Sequence, residues 1–292
     1  MENKFSNTIL TGISFSILWA SASVAGKFGL FSVEPLVLFN LRFLLAGIIL
    51  LAYTQAIQRS RVPIGDEWRQ LTIFATFNTA LYLGIFIIAL QYITAGITSL
   101  AIVLNPLFIS IMSSVWTKRK VKALEWLSIA LGIIGVCIAS YPLLKGSDVT
   151  ITGLLLLGLS MVAYSFGSVY YTTVPWTLSR TSINAWQVMI SAILLAPFTI
   201  LFHIKPNHFD LRFWLSLLWL VVPVSIIAVQ LWLRLLKTDA VRASLWLYLC
   251  PIFGLTFSSI LLGEPFTVFT LLGTSLVLVA VYIGQRKMKV EA

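Results

Sequence analysis

Apolar residues in this chain come in long unbroken runs, and polar residues collect in short intervals between them. About 20 helical residues at 1.5 Å each cross the hydrocarbon core of a bilayer. Ten runs of that kind are visible, at residues 8–29, 35–56, 70–90, 96–116, 123–141, 151–173, 183–202, 211–235, 240–262 and 266–284. They are continuously apolar, which predicts helices and not the alternating strands of a membrane barrel. The intervals leave no room for a separate soluble domain. The expected fold is an all-α integral membrane protein with ten transmembrane helices.

Composition removes whole classes of function. Of 292 residues, 59% are hydrophobic and 10% are charged, against about 25% charged in an ordinary soluble domain. The mean hydropathy is +0.97. A soluble globule has no interior large enough for that much apolar surface. A soluble enzyme, a disordered chain and a nucleic-acid-binding domain are excluded. Cys137 and Cys250 lie in apolar runs and suggest no disulfide framework, and His203 and His208 share one polar stretch with Asp210. No metal site and no cofactor is expected. The first apolar run is followed by many more, so it reads as a span and not as a cleaved leader.

The net charge of +10 first suggests an anionic partner, but its distribution gives it another meaning. Fifteen Lys and Arg fall in the intervals on one side of the ten spans. Four, Lys27, Lys145, Lys205 and Arg212, fall on the other, and Arg42 lies within a span. Positive charge collects on the cytoplasmic side. Ten spans put both termini on one side, and this split places that side in the cytoplasm.

The chain also repeats itself at an offset of 145. Residues 95–114 and 240–259 are identical at eight of twenty positions, including Ser99/Ser244 and Pro106/Pro251. The same offset sets Trp19 opposite Tyr164, Arg42 opposite Gln187, and Arg119 opposite Glu264 with the charge reversed. Two units follow, 6–142 and 150–286. Each holds five helices, an odd number, so the units must be inverted relative to one another. Inverted repeats are common in secondary transporters, where the substrate site lies near mid-membrane between the halves.

Several short stretches carry a resemblance. They are Leu18-Trp19-Ala20, Asn40-Leu41-Arg42-Phe43, the segment from Ala89 to Ala95, Ser99-Leu100 with Asn105-Pro106, Ser244-Leu245 with Pro251, Leu262-Gly263-Glu264, and Gly273. In this order the chain resembles the EamA-type ten-helix members of the drug/metabolite transporter superfamily. The resemblance implies a secondary transporter of the inner membrane of a bacterium. It would export or exchange small metabolites such as amino acids by alternating access around a mid-membrane cavity. Its partners would be a small-molecule substrate and the lipid bilayer, with no nucleic acid, and a monomer is favoured over an oligomer. The alternative is an intramembrane enzyme or a non-transporting membrane receptor. An enzyme needs a reactive constellation within the spans, and none is evident, so no catalytic residue is assigned.

The chain departs from the pattern at Arg119, where the second half has Glu264, and at Ser128, where it has Gly273. The small multidrug relatives carry a glutamate in the first helix that exchanges substrate for protons. Here that helix offers only Ser14, Ser16, Ser21 and Ser23, and all ten carboxylates fall near helix ends. No proton carrier is evident, so facilitated diffusion or exchange is expected.

The candidate cavity residues are Trp19, Arg42, Asn78, Tyr82, Asn105, Tyr164, Trp186, Gln187, Gln230 and Tyr248. Arg42 is either a cation facing the cavity or one that snorkels outward. Asn78 and Tyr82, four apart, share a helical face. Aromatic rings and amides near span centres suit an amphipathic ligand, although each one alone would equally serve interhelical packing. Gln91 adds another amide. Pro106 and Pro251 are placed mid-helix, as paired hinges or as static kinks. Trp68, Trp116, Trp126 and Trp176, near helix ends, are expected at the membrane interface.

Overall fold

In lipid no water is available for a backbone N–H or C=O, so each crossing segment must close its own hydrogen bonds. The computed structural model describes residues 2–89, 92, 102–144, 150–262 and 267–285, and among these there is no strand. Helix α1 is Glu2–Leu30, and α2 is Pro35–Ala52 with a π-helical extension, Tyr53–Ile57. Helix α3 (Asp66–Ala75) passes through a π-helical segment, Thr76–Leu81, into α4 (Tyr82–Ala89). Then come α5 (Asn105–Trp116), α6 (Ala123–Leu144), α7 (Ile151–Thr173) and α8 (Arg180–Leu201). Helix α9 (Leu211–Trp219) passes through a longer π-helical segment, Leu220–Ala228, into α10 (Val229–Leu236). Helix α11 (Ala240–Leu245) is joined by a 3-10 turn, Trp246–Tyr248, to α12 (Leu249–Leu262), and α13 is Val268–Gln285.

Among the described residues six segments are long and apolar enough to cross a bilayer: Thr8–Leu30, Pro35–Ile57, Ile151–Thr173, Arg180–Leu201, Leu211–Leu236 and Val268–Gln285. Ala123–Ala139 and Ala240–Gly254 are apolar but shorter. The expected run at 96–116 lies partly outside the described residues. Helix starts follow local chemistry: Thr150, Ser179, Asp210 and Asp239 each accept a backbone N–H of the first turn they precede, which satisfies a donor that the helix cannot. The outer surface is apolar, with Val115 77%, Leu155 70% and Leu201 75% exposed. That surface suits hydrocarbon and not water.

The packing obeys the repeat. Helix α2 lies against its own equivalent, α8, and α6 against its equivalent, α13. Helix α1 packs on the α9–α10 rod and on α12, while its equivalent α7 packs on the α3–α4 rod and on α5. Exchanging the halves leaves this pattern unchanged. Both self-equivalent pairs are antiparallel. Asn40 Nδ2 donates to Ala192 O at 2.9 Å, and Gly47 faces Met189. Ser128 Oγ donates to Ala280 O at 2.7 Å, Gly135 faces Gly273, and the Tyr141 and Phe269 rings are 5.2 Å apart. At an offset of 145, Ser128 corresponds to Gly273 and Gly135 to Ala280, so the contact maps onto itself. Antiparallel contact between equivalent helices is what an inverted repeat requires.

Two glycines let α6 and α13 meet. A Cβ on Gly135 would stand 2.9 Å from Gly273 O, and a Cβ on Gly273 would stand 2.5 Å from Ala139 N. Lipid gives no hydrophobic drive between helices, so backbone approach of this kind is a main source of association.

Interhelix loops are clasped in the same symmetric way. Ser32 Oγ donates to Asp210 at 2.7 Å, and Glu34 accepts from the backbone N–H of Ile204 and Lys205 at 3.0 and 2.8 Å. The equivalent loops join through Arg61, which holds Glu67 by two bonds of 2.6 Å, and through Thr177, whose hydroxyl also donates to Glu67. The Arg61 hydrogen bonds, followed by that of Thr177, pull the Glu67 carboxyl down from 4.5 to about 2.

Replacing Gly273 by Leu should destabilise the protein by about 1–3 kcal/mol through overpacking, read as a lower melting temperature in detergent. Gly158→Ala, where no atom lies within 4 Å, should not. A carboxyl depressed on folding stabilises above its unfolded pKa and loses that contribution as pH falls through the folded one. The melting temperature should therefore drop between about pH 4.5 and pH 2, and Glu67→Gln should flatten that part of the profile.

Candidate functional site

The π-helical segments within the α3–α4 and α9–α10 rods are repeat equivalents, since Thr76–Leu81 maps onto residues 221–226. Pro223 supplies the cause in the second half, because it lacks the N–H that a regular helix would use. Its equivalent in the first half is Asn78. A π-helical turn widens the helix and re-aims its side chains, and such turns concentrate at functional sites. Here they deliver Asn78 and Thr79 from one repeat, and Val224 and Ser225 from the other, to the same interior region.

That region is built around Arg42. Its side chain is 3% exposed, so it does not snorkel to water. Nε donates to Ser225 Oγ at 2.7 Å. The guanidinium carbon stands 5.4 Å from the Phe39 ring centre and 5.3 Å from that of Phe43. Among the described residues no carboxylate pairs with it, and no protein group accepts from its two terminal nitrogens. A buried cation with no anion is costly, because its hydration is lost and nothing replaces it.

Two cavities adjoin the guanidinium and share Trp19, Arg42, Tyr82 and Leu83 in their walls. The larger has a volume of 140 Å³, with Phe39, Phe86, Ile102, Val224, Cys250 and Pro251 completing most of its wall. Space of that size holds about one six-membered ring. The smaller, of 20 Å³, is lined by Asn78, Thr79, Tyr164, Gln187, Ser225 and Trp232 among others, and holds about one water. Gln187 donates through Nε2 to Thr79 Oγ1 at 2.9 Å, which leaves its Oε1 unpartnered. Trp232 Nε1 is also buried without a partner. The floor therefore offers cationic and neutral donors beside one amide acceptor. A belt of rings surrounds it. Phe15 lies 5.6 Å from Trp19 and 5.0 Å from Trp232, Tyr164 lies 5.8 Å from Trp232, and Tyr82 lies 4.7 Å from Tyr164.

Repeat equivalents meet at this floor: Arg42 with Gln187, and Trp19 with Tyr164. The site thus sits on the pseudo-twofold axis, with the cation contributed by one half and the amide by the other.

Six expected residues come together here: Trp19, Arg42, Asn78, Tyr82, Tyr164 and Gln187. Four do not. Tyr248 is buried between helices, where its hydroxyl donates to Ile129 O at 3.1 Å and its ring fills the space beside Gly132. Asn105 joins α5 to α7, with Nδ2 3.3 Å from Met161 Sδ and Oδ1 accepting from Ser165 at 3.2 Å. Trp186 meets Trp68 edge to face, 4.8 Å between ring centres. Gln230 donates to Arg180 O at 3.2 Å. Three of the four join helices through polar groups, whereas Trp186 does so through its ring and keeps a buried Nε1 without a partner. Gln91 lies outside the described residues.

The two prolines stand differently. Pro106 lies in the first turn of α5, just after a break, where the missing N–H had no intrahelical partner to lose. Pro251 lies within a helical run that continues from Ala240 through the 3-10 turn Trp246–Tyr248 to Leu262, the mid-helix place expected for it.

Thr79, Ser225 and Trp232 were not anticipated. Small hydroxyl residues inside apolar runs look alike whether they join helices or face a ligand, and Trp232 falls close to the end of its run. Pro223, with its helix-widening effect, was the one available pointer to Ser225. Another opening, a groove of 960 Å³ along α1, α9 and α12, is lined mostly by apolar residues such as Leu18, Val24, Phe28, Leu215 and Trp219, with Arg212 in its wall, and lacks converging polar groups.

The chain has clear relatives. It is 25% identical to an uncharacterized transporter of Synechocystis sp., a match covering 98% of this chain and 93% of that one. It is also 25% identical to a probable amino-acid metabolite efflux pump of Salmonella typhimurium (92% and 91% covered), and 23% identical to a protein of the same description from Escherichia coli (92% and 91%). A protein known from its crystal structure has the same fold, with a TM-score of 0.81 at 19% identity, covering 95% of this chain and 96% of that one. The pattern of the EamA-like transporter family matches twice, over residues 6–141 and 151–284. The chain is a multi-pass membrane protein and belongs to the EamA-like transporter family.

Proposed function

We propose that this protein is a ten-helix secondary transporter in the inner membrane of a bacterium, built from two inverted five-helix repeats with both termini in the cytoplasm. It exports or exchanges small metabolites that carry a carboxylate, amino acids among them, by alternating access. The cargo sits between the repeats, and a single chain forms the whole cavity. The observation that carries this reading is Arg42, a cation buried at the meeting of the two repeats with no anion beside it among the described residues. A cargo carboxylate supplies the missing charge. Gln187 Oε1 and Trp232 Nε1 supply an acceptor and a donor for the rest of its polar head. The 140 Å³ cavity takes a compact apolar group. The names of the Salmonella and Escherichia relatives support amino-acid metabolites as the class. In the sequence all ten carboxylates fall near the ends of the expected spans, which supports exchange or facilitated diffusion over proton antiport.

The test is counterflow. Protein in liposomes loaded with an unlabelled metabolite should accumulate the labelled compound, screened over amino acids and related carboxylates. Arg42→Gln should raise KM about tenfold or more, as loss of a charge-assisted bond of about 1.5–3 kcal/mol implies. Equal KM in wild type and variant would remove Arg42 from the site, and no counterflow across the panel by folded protein would remove the transport reading.

Trp232→Phe gives a second test. It deletes a buried N–H that has no partner together with part of a fully buried ring; the two effects oppose, so the unliganded protein should change by no more than about 1 kcal/mol. Substrate affinity should fall. A protein that loses stability and keeps its affinity would make Trp232 a packing residue only.

A further inference from the structure

Outside the cavity, one cluster joins the two repeats through an arginine held between two carboxylates. The loop between α5 and α6 turns at Lys118, which takes a left-handed conformation (φ 53°). Arg119 follows and spreads over two carboxylates. Its two terminal nitrogens hold Glu125 at 2.9 and 2.7 Å. Its Nε donates to Asp239 Oδ2 at 2.9 Å, and Nη2 lies 2.8 Å from the same oxygen. Glu125 belongs to the first repeat, and Asp239, the residue before α11, to the second. Arg242 stands on the far side, its Nε 3.6 Å from Glu125 Oε1. The Glu125 side chain is 4% exposed, and those of Arg119 and Asp239 are each 23% exposed. Enclosure of this degree and the two-pronged geometry set the cluster apart from ordinary surface pairs.

The repeat shows what is special about it. Glu125 also accepts the backbone N–H of Lys122 at 2.9 Å. The equivalent bond in the second half is Thr267 N to Thr270 Oγ1, at 3.4 Å. The second half keeps the helix-start bond with a threonine and dispenses with the charge. Capping alone therefore does not require a glutamate at 125. Applying the same offset to the whole cluster turns Arg119, Glu125, Asp239 and Arg242 into Glu264, Thr270, Thr94 and Ile97. That set has one carboxylate and no cation, so these positions do not repeat the ion pair. The opposite end is joined by other groups, chiefly Glu34, which meets His203 Nδ1 at 2.5 Å and accepts from the backbone N–H of Ile204 and Lys205.

We propose that Arg119, bridging Glu125 and Asp239, is an ion-pair latch that holds the two repeats together at the end bearing the Arg119 loop, and that it must open once in every transport cycle. This rests on the alternating-access reading given above. The link is made only while that end is closed, so the latch biases the resting protein toward the state closed on the Arg119 side. A population bias of this kind needs only a differential interaction between the two states.

Accessibility of the cavity tests the latch without any substrate. Cys250 lines the 140 Å³ cavity, and Cys137→Ser leaves it as the only thiol in the chain. A membrane-impermeant maleimide is added to vesicles of either orientation, so that each side is probed separately. Arg119→Gln, Glu125→Gln and Asp239→Asn should each raise the labelling rate from the Arg119 side about fivefold, within the usual range of coupling between states. From the opposite side the rate should stay level or fall. Arg119→Lys, which keeps the charge and loses the fork, should lie between. Glu125→Gln and Asp239→Asn retain the acceptors for the Lys122 and Arg242 N–H groups, so they decide the matter if Arg119→Gln does not fold. Unchanged labelling in both would overturn the latch, as would an equal rise from both sides, which marks general loosening. Wild-type protein without counterflow whose variants still show the one-sided rise would sink the transport reading and leave the one-sided closure standing.

Discussion

A segment inside hydrocarbon must satisfy its own backbone, and this requirement shapes the rest of the molecule. It makes every long segment a helix. It also decides where helices can be irregular, because a freed carbonyl or amide must be enclosed by protein. Apart from the exposed π-helical end of α2, the irregular places among the described residues are Thr76–Leu81, Leu220–Ala228, the break before α5 and the 3-10 turn before α12. The two mid-rod π-helical segments lie in the interior, where they supply Asn78, Thr79 and Ser225 to the site. The irregularities that lipid forbids at the surface are the ones that make the cavity polar.

Within that interior Arg42 dominates the energetics. An isolated guanidinium in an apolar setting is tolerated only if other groups share the burden. Ser225 accepts one bond, and Phe39 and Phe43 offer their ring faces, contacts worth about 0.5–2 kcal/mol each. These moderate the cost without neutralising the charge. A second tension lies close by, in the unpartnered Gln187 Oε1 and Trp232 Nε1. A fold selected only for stability would have replaced such groups with apolar ones. Their retention at the junction of two antiparallel repeats is understandable if a ligand completes them.

Much of this was legible in the chain and some was not. The helices were visible because apolar runs of bilayer length leave few alternatives. The repeat was visible because Pro106/Pro251 and Arg119/Glu264 keep one offset, and the antiparallel contacts of α6 with α13 are what inversion demands. Arg42 stood out because a charge within a span is rare. The side chains around it were harder to sort. Tyr248 and Asn105 look as suitable as Tyr82 and Asn78, yet they serve helix packing, and only their rotational position about the helix axis separates the two groups. A π-helical turn shifts that position by a fraction of a turn, and apart from Pro223 no residue pattern announces it. Trp232 was missed for the same reason. The bridge from Arg119 to Asp239 spans 120 positions, and no local pattern predicts a contact of that range.

The central claim is that the buried Arg42 awaits an anionic group. Trp19 and Trp232 line the site, so their fluorescence reports its occupancy. The most direct measurement is a tryptophan-fluorescence titration of purified protein with small carboxylates, amino acids and their uncharged amide analogues. A saturable change with the carboxylates, much weaker with the amides and absent in a folded Arg42→Gln variant, is the predicted result. Equal binding of carboxylates and amides, or binding that survives Arg42→Gln undiminished, would contradict it.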